Sequence, residues 1–218
     1  MKTIELFSGT CSFSKIAKAK GHSILCIDKF EGLGQLDLQI DLETANLKNL
    51  KADFLWASPP CTTFSVASMG THWTGGINAY IPATEKCKQG LRILDNTIKN
   101  ISLIKPTYWV IENPRGVMRK VIDKIFKKYN LNNYYRETAW YCQYGDSRAK
   151  PTDIWTNIPN WKAKTCKNGN PACNHIRAPR GAKTGTQGLK GNKERSIVPE
   201  ALIKELFEQV EIQEGHKR

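Results

Sequence analysis

Short apolar runs recur along the first two thirds of this 218-residue chain, and small, polar or charged residues close or follow each one. They are Thr3–Phe7, Ile24–Asp28, Asp53–Ala57, Tyr108–Glu112 and Thr138–Cys142. Runs this short and this apolar are read as buried strands. Amphipathic stretches lie between them. Leu91, Leu94, Ile98 and Ile101 recur at steps of three and four residues, and so do Val117, Val121, Ile125 and Tyr129. Each set lines one face of a helix. Alternation of this kind predicts an α/β fold, a mainly parallel sheet covered by helices.

The pattern lapses after about Asn157. Positions 158–195 are rich in Gly, Pro, Asn, Lys and Arg, and apolar periodicity returns only after Pro199, with Leu202, Leu206 and Val210 beside Ile203 and Phe207. We therefore expect an α/β domain over 1–155, a loop-rich insert over 156–190, and a C-terminal helix within 191–218 that packs back on the first part. The net charge of +13 is concentrated in the insert region, where Thr156 to Arg195 holds nine basic residues and one acidic residue, Glu194. A polyanionic partner explains such a balance economically, and a merely soluble basic surface is the alternative. No apolar run approaches the roughly 18 residues of a membrane span, and the chain opens directly on a core-like segment. The expectation is a cytoplasmic protein without a membrane partner. Seven cysteines at irregular spacing read as reduced thiols rather than a disulfide framework.

Four strand ends carry candidate chemistry, because ligands of open α/β sheets sit at the carboxyl ends of the strands. The first strand runs into Phe7-Ser8-Gly9-Thr10, where Gly9 permits close approach to a ligand. Asp28, 19 residues beyond Gly9, ends the next strand and is placed to accept bonds from a ribose diol. Asp41 follows a further short segment and is a candidate for an adenine edge. The third strand stops at Pro59-Pro60, with Cys61 directly after. Prolines deny a helix there, and a thiol so held suits covalent work, although most free cysteines are small buried hydrophobes. The fourth delivers Glu112-Asn113 before Pro114.

These residues carry a family resemblance. Phe7-Ser8-Gly9 after a strand, Ser58-Pro59-Pro60-Cys61 with Phe64-Ser65, Glu112-Asn113, Tyr144-Gly145 with Arg148 and Lys150, and Arg195-Ser196-Ile197-Val198-Pro199 before a helix resemble, in order, motifs of the DNA cytosine-5 methyltransferases. Any one is suggestive, whereas the ordered set nearly spans the chain. The chain departs from the family in having Thr62 where Gln is usual, Pro114 where Val is usual, and about 35 residues where a longer target-recognition domain is usual. The compact form is similar to compact methyltransferases of phages and mobile elements.

The resemblance implies a Rossmann-like fold and S-adenosylmethionine as cofactor. Phe7, Ser8, Gly9, Thr10, Asp28, Asp41, Pro60 and Ser196 would line that cofactor. It further implies double-stranded DNA as substrate, a flipped cytosine, Cys61 as nucleophile, and Glu112 as the partner of N3 and the exocyclic amine. Either Arg148 or Lys150 would hold the carbonyl oxygen of the base or a phosphate. Thr62 and Ser65 would meet DNA at the start of a long loop, 62–83, that closes over it. Arg177, Arg180, Lys183 and Lys190 in the insert would meet phosphates or a groove. An RNA cytosine-5 methyltransferase and a catalytically degenerate DNA-binding protein are the competing readings.

Cys142, Cys166, Cys173 and His175 form a candidate structural zinc set. A small insert without a core would gain from a metal. The spacing Cys-x6-Cys-x-His is not a standard one, and reduced surface thiols are the alternative.

Overall fold

The computed structural model describes residues 1–31, 36–177 and 191–216. In chain order the elements are β1 (Lys2–Leu6), α1 (Ser12–Ala19), β2 (Ser23–Asp28), β3 (Leu38–Gln39) and β4 (Phe54–Ala57). Next come α2 (Met69–His72), β5 (Trp73–Thr74), α3 (Gly76–Ala79), β6 (Ile81–Pro82), α4 (Glu85–Ile104), β7 (Tyr108–Pro114) and α5 (Met118–Lys128). The chain continues through β8 (Tyr135–Trp140), a 3₁₀ turn at Tyr141–Tyr144, β9 (Pro151–Thr156), α6 (Asn192–Ser196) and α7 (Glu200–Gly215).

Seven strands form the main sheet in the order β3-β2-β1-β4-β7-β9-β8. The pairs from β3 through β7 are parallel, while β9 runs antiparallel to both β7 and β8. The chain winds outward from β1 to β3 and then returns to β4. The strand order therefore reverses between β1 and β4, and a crevice opens outside their carboxyl ends.

Side-chain alternation assigns the two faces. Leu55, Ile111 and Trp155 point into a core with Leu94, Ile98 and Ile101 of α4 and Ile122 and Phe126 of α5. Phe54, Trp56, Val110 and Ile154 point the other way, toward Phe13 and Ile16 of α1 and Leu202, Leu206 and Phe207 of α7. On that second face Phe13 stacks between Trp56 and Phe207, with ring centroids 5.5 and 5.0 Å away. The long helix α4 begins where the Thr84 hydroxyl accepts the Cys87 N–H, an N-cap. It ends at Lys105 in the left-handed conformation ahead of Pro106.

Three sequence expectations need correction. The strand expected at Thr138–Cys142 lies at Tyr135–Trp140, and Cys142 sits in the 3₁₀ turn. The stripe of α5 is shifted by one residue. Met118, Ile122 and Phe126 are fully buried, whereas Val121 and Ile125 pack at its margin. The segment 62–83 is not one open loop. It holds a 3₁₀ turn, two one-turn helices and the β5–β6 hairpin, and it is anchored by buried Phe64 and Trp73. Strand β9, with all six residues buried, had no expectation because Pro151 and Asp153 hide its pattern.

Candidate active site

The rim outside β1, β4 and β7 collects the candidate residues. Cys61 follows β4 across Pro59 and Pro60, of which Pro59 is buried and Pro60 exposed. Asn113 in β7 donates from Nδ2 to the Pro59 carbonyl oxygen at 2.8 Å. That bond ties the Pro-Pro-Cys turn to the strand carrying Glu112. A second tie lies just beyond. The Val117 N–H donates to the Phe64 carbonyl at 2.7 Å, and Ser65 bridges to Gly116. A Cβ at Gly116 would stand 2.0 Å from that Phe64 oxygen, so the close approach requires glycine.

Glu112 is buried, and its Oε1 accepts the Tyr141 hydroxyl at 2.8 Å. Burial, with the Glu112 carboxylate beside it, pushes the Tyr141 phenol well above its ordinary pKa. The phenol is therefore a fixed donor. The Lys150 ammonium lies 4.4 Å from the centroid of the Tyr141 ring and donates to the Arg195 carbonyl oxygen at 2.9 Å. Burial pushes the Lys150 pKa down, and Glu112 and Cys61 oppose that. Burial raises the Cys61 thiol and Glu112 raises it further, while Lys150 and Arg195 pull it down. Cys61, Glu112 and Lys150 thus form one electrostatic group, in which the resting thiol holds its proton.

Arg148 sits differently. Its guanidinium forms a short bidentate pair with Asp146 and donates to the carbonyl oxygens of Glu194 at 3.0 Å and Ile197 at 3.3 Å. It staples the Arg195–Pro199 segment to the strand end. The Val198 N–H reaches the Ser12 hydroxyl at 3.2 Å, which brings that segment, with exposed Ser196, beside the turn after β1.

No family model matches the chain. A frog virus 3 (isolate Goorha) protein named a probable DNA (cytosine-5)-methyltransferase is 30% identical over 225 residues, covering 95% of this chain and 99% of that protein. The chain belongs to the DNA cytosine-5 methyltransferase family. It is therefore an enzyme of the methyltransferase class, and S-adenosylmethionine is the cofactor of such methyltransferases. Two solved structures share the fold. The Entamoeba histolytica methyltransferase EhMeth superposes with a TM-score of 0.53 at 16% identity, covering 77% of this chain and 57% of that one. The Dnmt2 methyltransferase of S. pombe gives 0.51 at 15% identity, with 75% and 51% covered. The methyltransferase thus spans little more than half the length of either.

The residues after β1 and β2 fit the family's cofactor. Phe7, Gly9 and Cys11 all have positive φ, which makes a tight turn at the carboxyl end of β1. Asp28 accepts the N–H groups of Gly9 at 3.0 Å and Lys29 at 2.6 Å. These bonds orient its carboxylate and leave lone pairs for a diol. Asp41 pairs with Lys29 at 2.7 Å, one residue from Asp28. Ser8 is buried, and the Thr10 hydroxyl lies 2.9 Å from that of Ser12.

Of the residues expected to meet DNA, Thr62 is exposed and Ser65 half-buried beside Ser68. Arg177 is exposed near Gly169. Arg180, Lys183 and Lys190 lie outside the described residues. Among the described residues no helix is long and apolar enough to cross a membrane. Sequence reasoning missed Tyr141 and Asn113 as site residues. Asn113 carried a signal, its place beside Glu112 at a strand end. Tyr141 carried none, because its partner lies 29 residues away.

Proposed function

We propose that this methyltransferase modifies C5 of cytosine in double-stranded DNA, with Cys61 as nucleophile on a flipped base. The supporting observation is the convergence of Cys61, Glu112 and Lys150 beside the turn after β1. S-adenosylmethionine, held by Phe7, Ser8, Gly9, Thr10, Asp28, Asp41, Pro60 and Ser196, would supply the methyl group that C5 takes up.

The chain's own residues supply the activation. Cytosine C5 is a poor nucleophile until sulfur adds to C6. The Cys61 thiol releases its proton to solvent as its sulfur forms a bond to C6, and Glu112, having taken up a proton from solvent, delivers it to N3, so the added electron pair stays in the ring and enriches C5. Tyr141 holds the Glu112 carboxyl in place from behind. Lys150 offers a cation to the carbonyl oxygen of the base and to the developing thiolate. Arg148, committed to Asp146 and two backbone carbonyls, acts as a positioning residue for the Arg195–Pro199 segment. After methyl transfer, loss of the C5 proton to a base, expulsion of the Cys61 thiolate and return of the N3 proton to Glu112 restore the aromatic ring.

The loop-rich insert over 156–190, with Arg177, Arg180, Lys183 and Lys190, would present the duplex through phosphate contacts. Thr62 and Ser65 would meet the strand at the flipped base. Duplex DNA carrying 5-fluorocytosine tests the reading, because fluorine at C5 traps the adduct. With cofactor, a covalent complex is expected on DNA and is lost in Cys61→Ser. Adduct on RNA alone would replace the substrate. No adduct on either polymer, together with no cofactor binding by calorimetry, would sink the proposal.

A further inference from the structure

Away from the crevice, four side chains converge that methyl transfer does not use. One ligand atom from each of Cys142, Cys166, Cys173 and His175 lies within 4.8 Å of the other three. A tetrahedral zinc with Zn–S bonds of about 2.3 Å sets its ligands roughly 3.8 Å apart. Closing this group around an ion therefore takes shifts of an ångström or less. Three thiols and one imidazole are a soft, complete donor set, with no position left for water, which is the composition of a structural zinc site.

The setting explains what such an ion would do. Residues 162–177 hold no helix or regular strand, and only His175 among 164–177 is buried. A few hydrogen bonds and surface ion pairs, to Glu137, Tyr144 and Glu205 among others, join this stretch to the body. Trp140 N–H donates to the Lys164 carbonyl at 3.1 Å, and Ile176 N–H donates to the Ser147 carbonyl at 2.8 Å. Segments with so little apolar burial do not hold their shape without a staple. Cys142 is the one ligand outside the stretch. It sits in the 3₁₀ turn directly after Tyr141, the residue bonded to Glu112.

We propose that Cys142, Cys166, Cys173 and His175 bind one structural zinc ion that clasps residues 164–177 to the turn carrying Tyr141. The ion links the basic insert to the active-site carboxylate. The surroundings suit coordinated thiolates. Gln143 Nε2 lies 3.5 Å from the Cys173 sulfur and Asn170 Nδ2 lies 3.5 Å from the Cys166 sulfur, and such donors stabilise charge on sulfur. One contact must yield. His175 Nδ1 faces the Cys166 sulfur at 3.9 Å while Nε2 accepts the Gly169 N–H at 3.0 Å. Zinc on Nδ1 puts the ring proton on Nε2, so the Gly169 loop must turn an acceptor toward it.

The test is metal analysis of the full-length protein purified with reductant from zinc-supplemented cells. About one zinc per chain is expected. Cys166→Ser and Cys173→Ser should fall to a trace, while Cys61→Ser keeps the full equivalent. Should those variants fail to fold, the wild type carries the test by itself. A chelator should release the ion, expose three further thiols to a thiol reagent and open 164–177 to protease. Cobalt(II) added back should give the visible absorption of a tetrahedral thiolate site. Only trace zinc with no cobalt spectrum overturns the proposal. So does a disulfide among the three cysteines after purification with reductant, or one equivalent that persists in Cys166→Ser and Cys173→Ser together.

Discussion

Two thiol-bearing groups in this chain are held in opposite ways. The Cys61 group hangs from strand ends whose residues are almost all buried, and Asn113, Tyr141 and Gly116 fix it through contacts with the sheet. The Cys142–Cys166–Cys173–His175 group is gathered mostly from a stretch with almost no core of its own. Where the sheet supplies rigidity, a thiol can stay uncoordinated and chemically available. Where it does not, thiols become the means of supplying rigidity. A third group, Glu5, Cys11 and Cys26, also lies within ligand distance. Its carboxylate is already spent on the Phe13 and Ser14 N–H groups at the start of α1, at 3.2 and 2.9 Å. Proximity of ligand atoms is therefore not enough, because competing hydrogen bonds decide whether a donor is available.

The sharpest way to break this contrast is Cys61→Ala. It should lower methyl transfer on the order of 10⁴-fold or more, as loss of a nucleophile does, while zinc content and melting temperature hold. Single-turnover kinetics and metal analysis on one preparation check both halves. Glu112→Gln should lower the chemical step by about 10²- to 10⁴-fold, with cofactor affinity by calorimetry unchanged.

Glu5 sharpens the third group. Burial raises its pKa to about 7, above that of an exposed glutamate. Between roughly pH 4.5 and 7 the folded chain keeps a proton that the unfolded chain has released, so stability falls as pH rises through that window. Glu5→Gln should flatten this dependence by an amount on the order of 3 kcal/mol, read from denaturant melts at pH 5 and pH 8. Arg148→Met should cost about 3 kcal/mol, because it strands Asp146 and two carbonyls; Lys150→Met should lower turnover with a smaller loss of stability. Equal losses of stability in the two variants would erase the distinction between them. The smallest effect is expected for Tyr141→Phe. Removing one hydrogen bond to Glu112 should cost about 1 kcal/mol, or roughly fivefold in the chemical step.

How much was legible in advance follows the range of the interactions involved. The alternation of apolar runs, the small-residue turn at Gly9, the double proline before Cys61 and the Glu112–Asn113 pair are local patterns. A parallel sheet delivers their carboxyl ends to one rim wherever the strands align. The cysteines and histidine of the clasp were legible as a set, although the expected strand at Cys142 proved to be a turn. Strand β9 was hidden because Pro151 and Asp153 interrupt its apolar pattern, and buried Asp153 is paired with Arg119 and accepts the Thr138 hydroxyl.

By itself, then, the sequence determined the α/β class, the order of the motifs and the residues offered to the rim, because periodicity and turn chemistry act over a few neighbouring residues. Tertiary structure decided which cation faces Glu112. Lys150 and Arg148 are two residues apart on one segment, and nothing local separates them. The reversed strand that follows turns Lys150 toward Tyr141 and Cys61, while Asp146 and the carbonyls of Glu194 and Ile197 hold Arg148. Those carbonyls lie 46 and 49 residues away, a distance along the chain that only the packing of the C-terminal segment against the sheet can close.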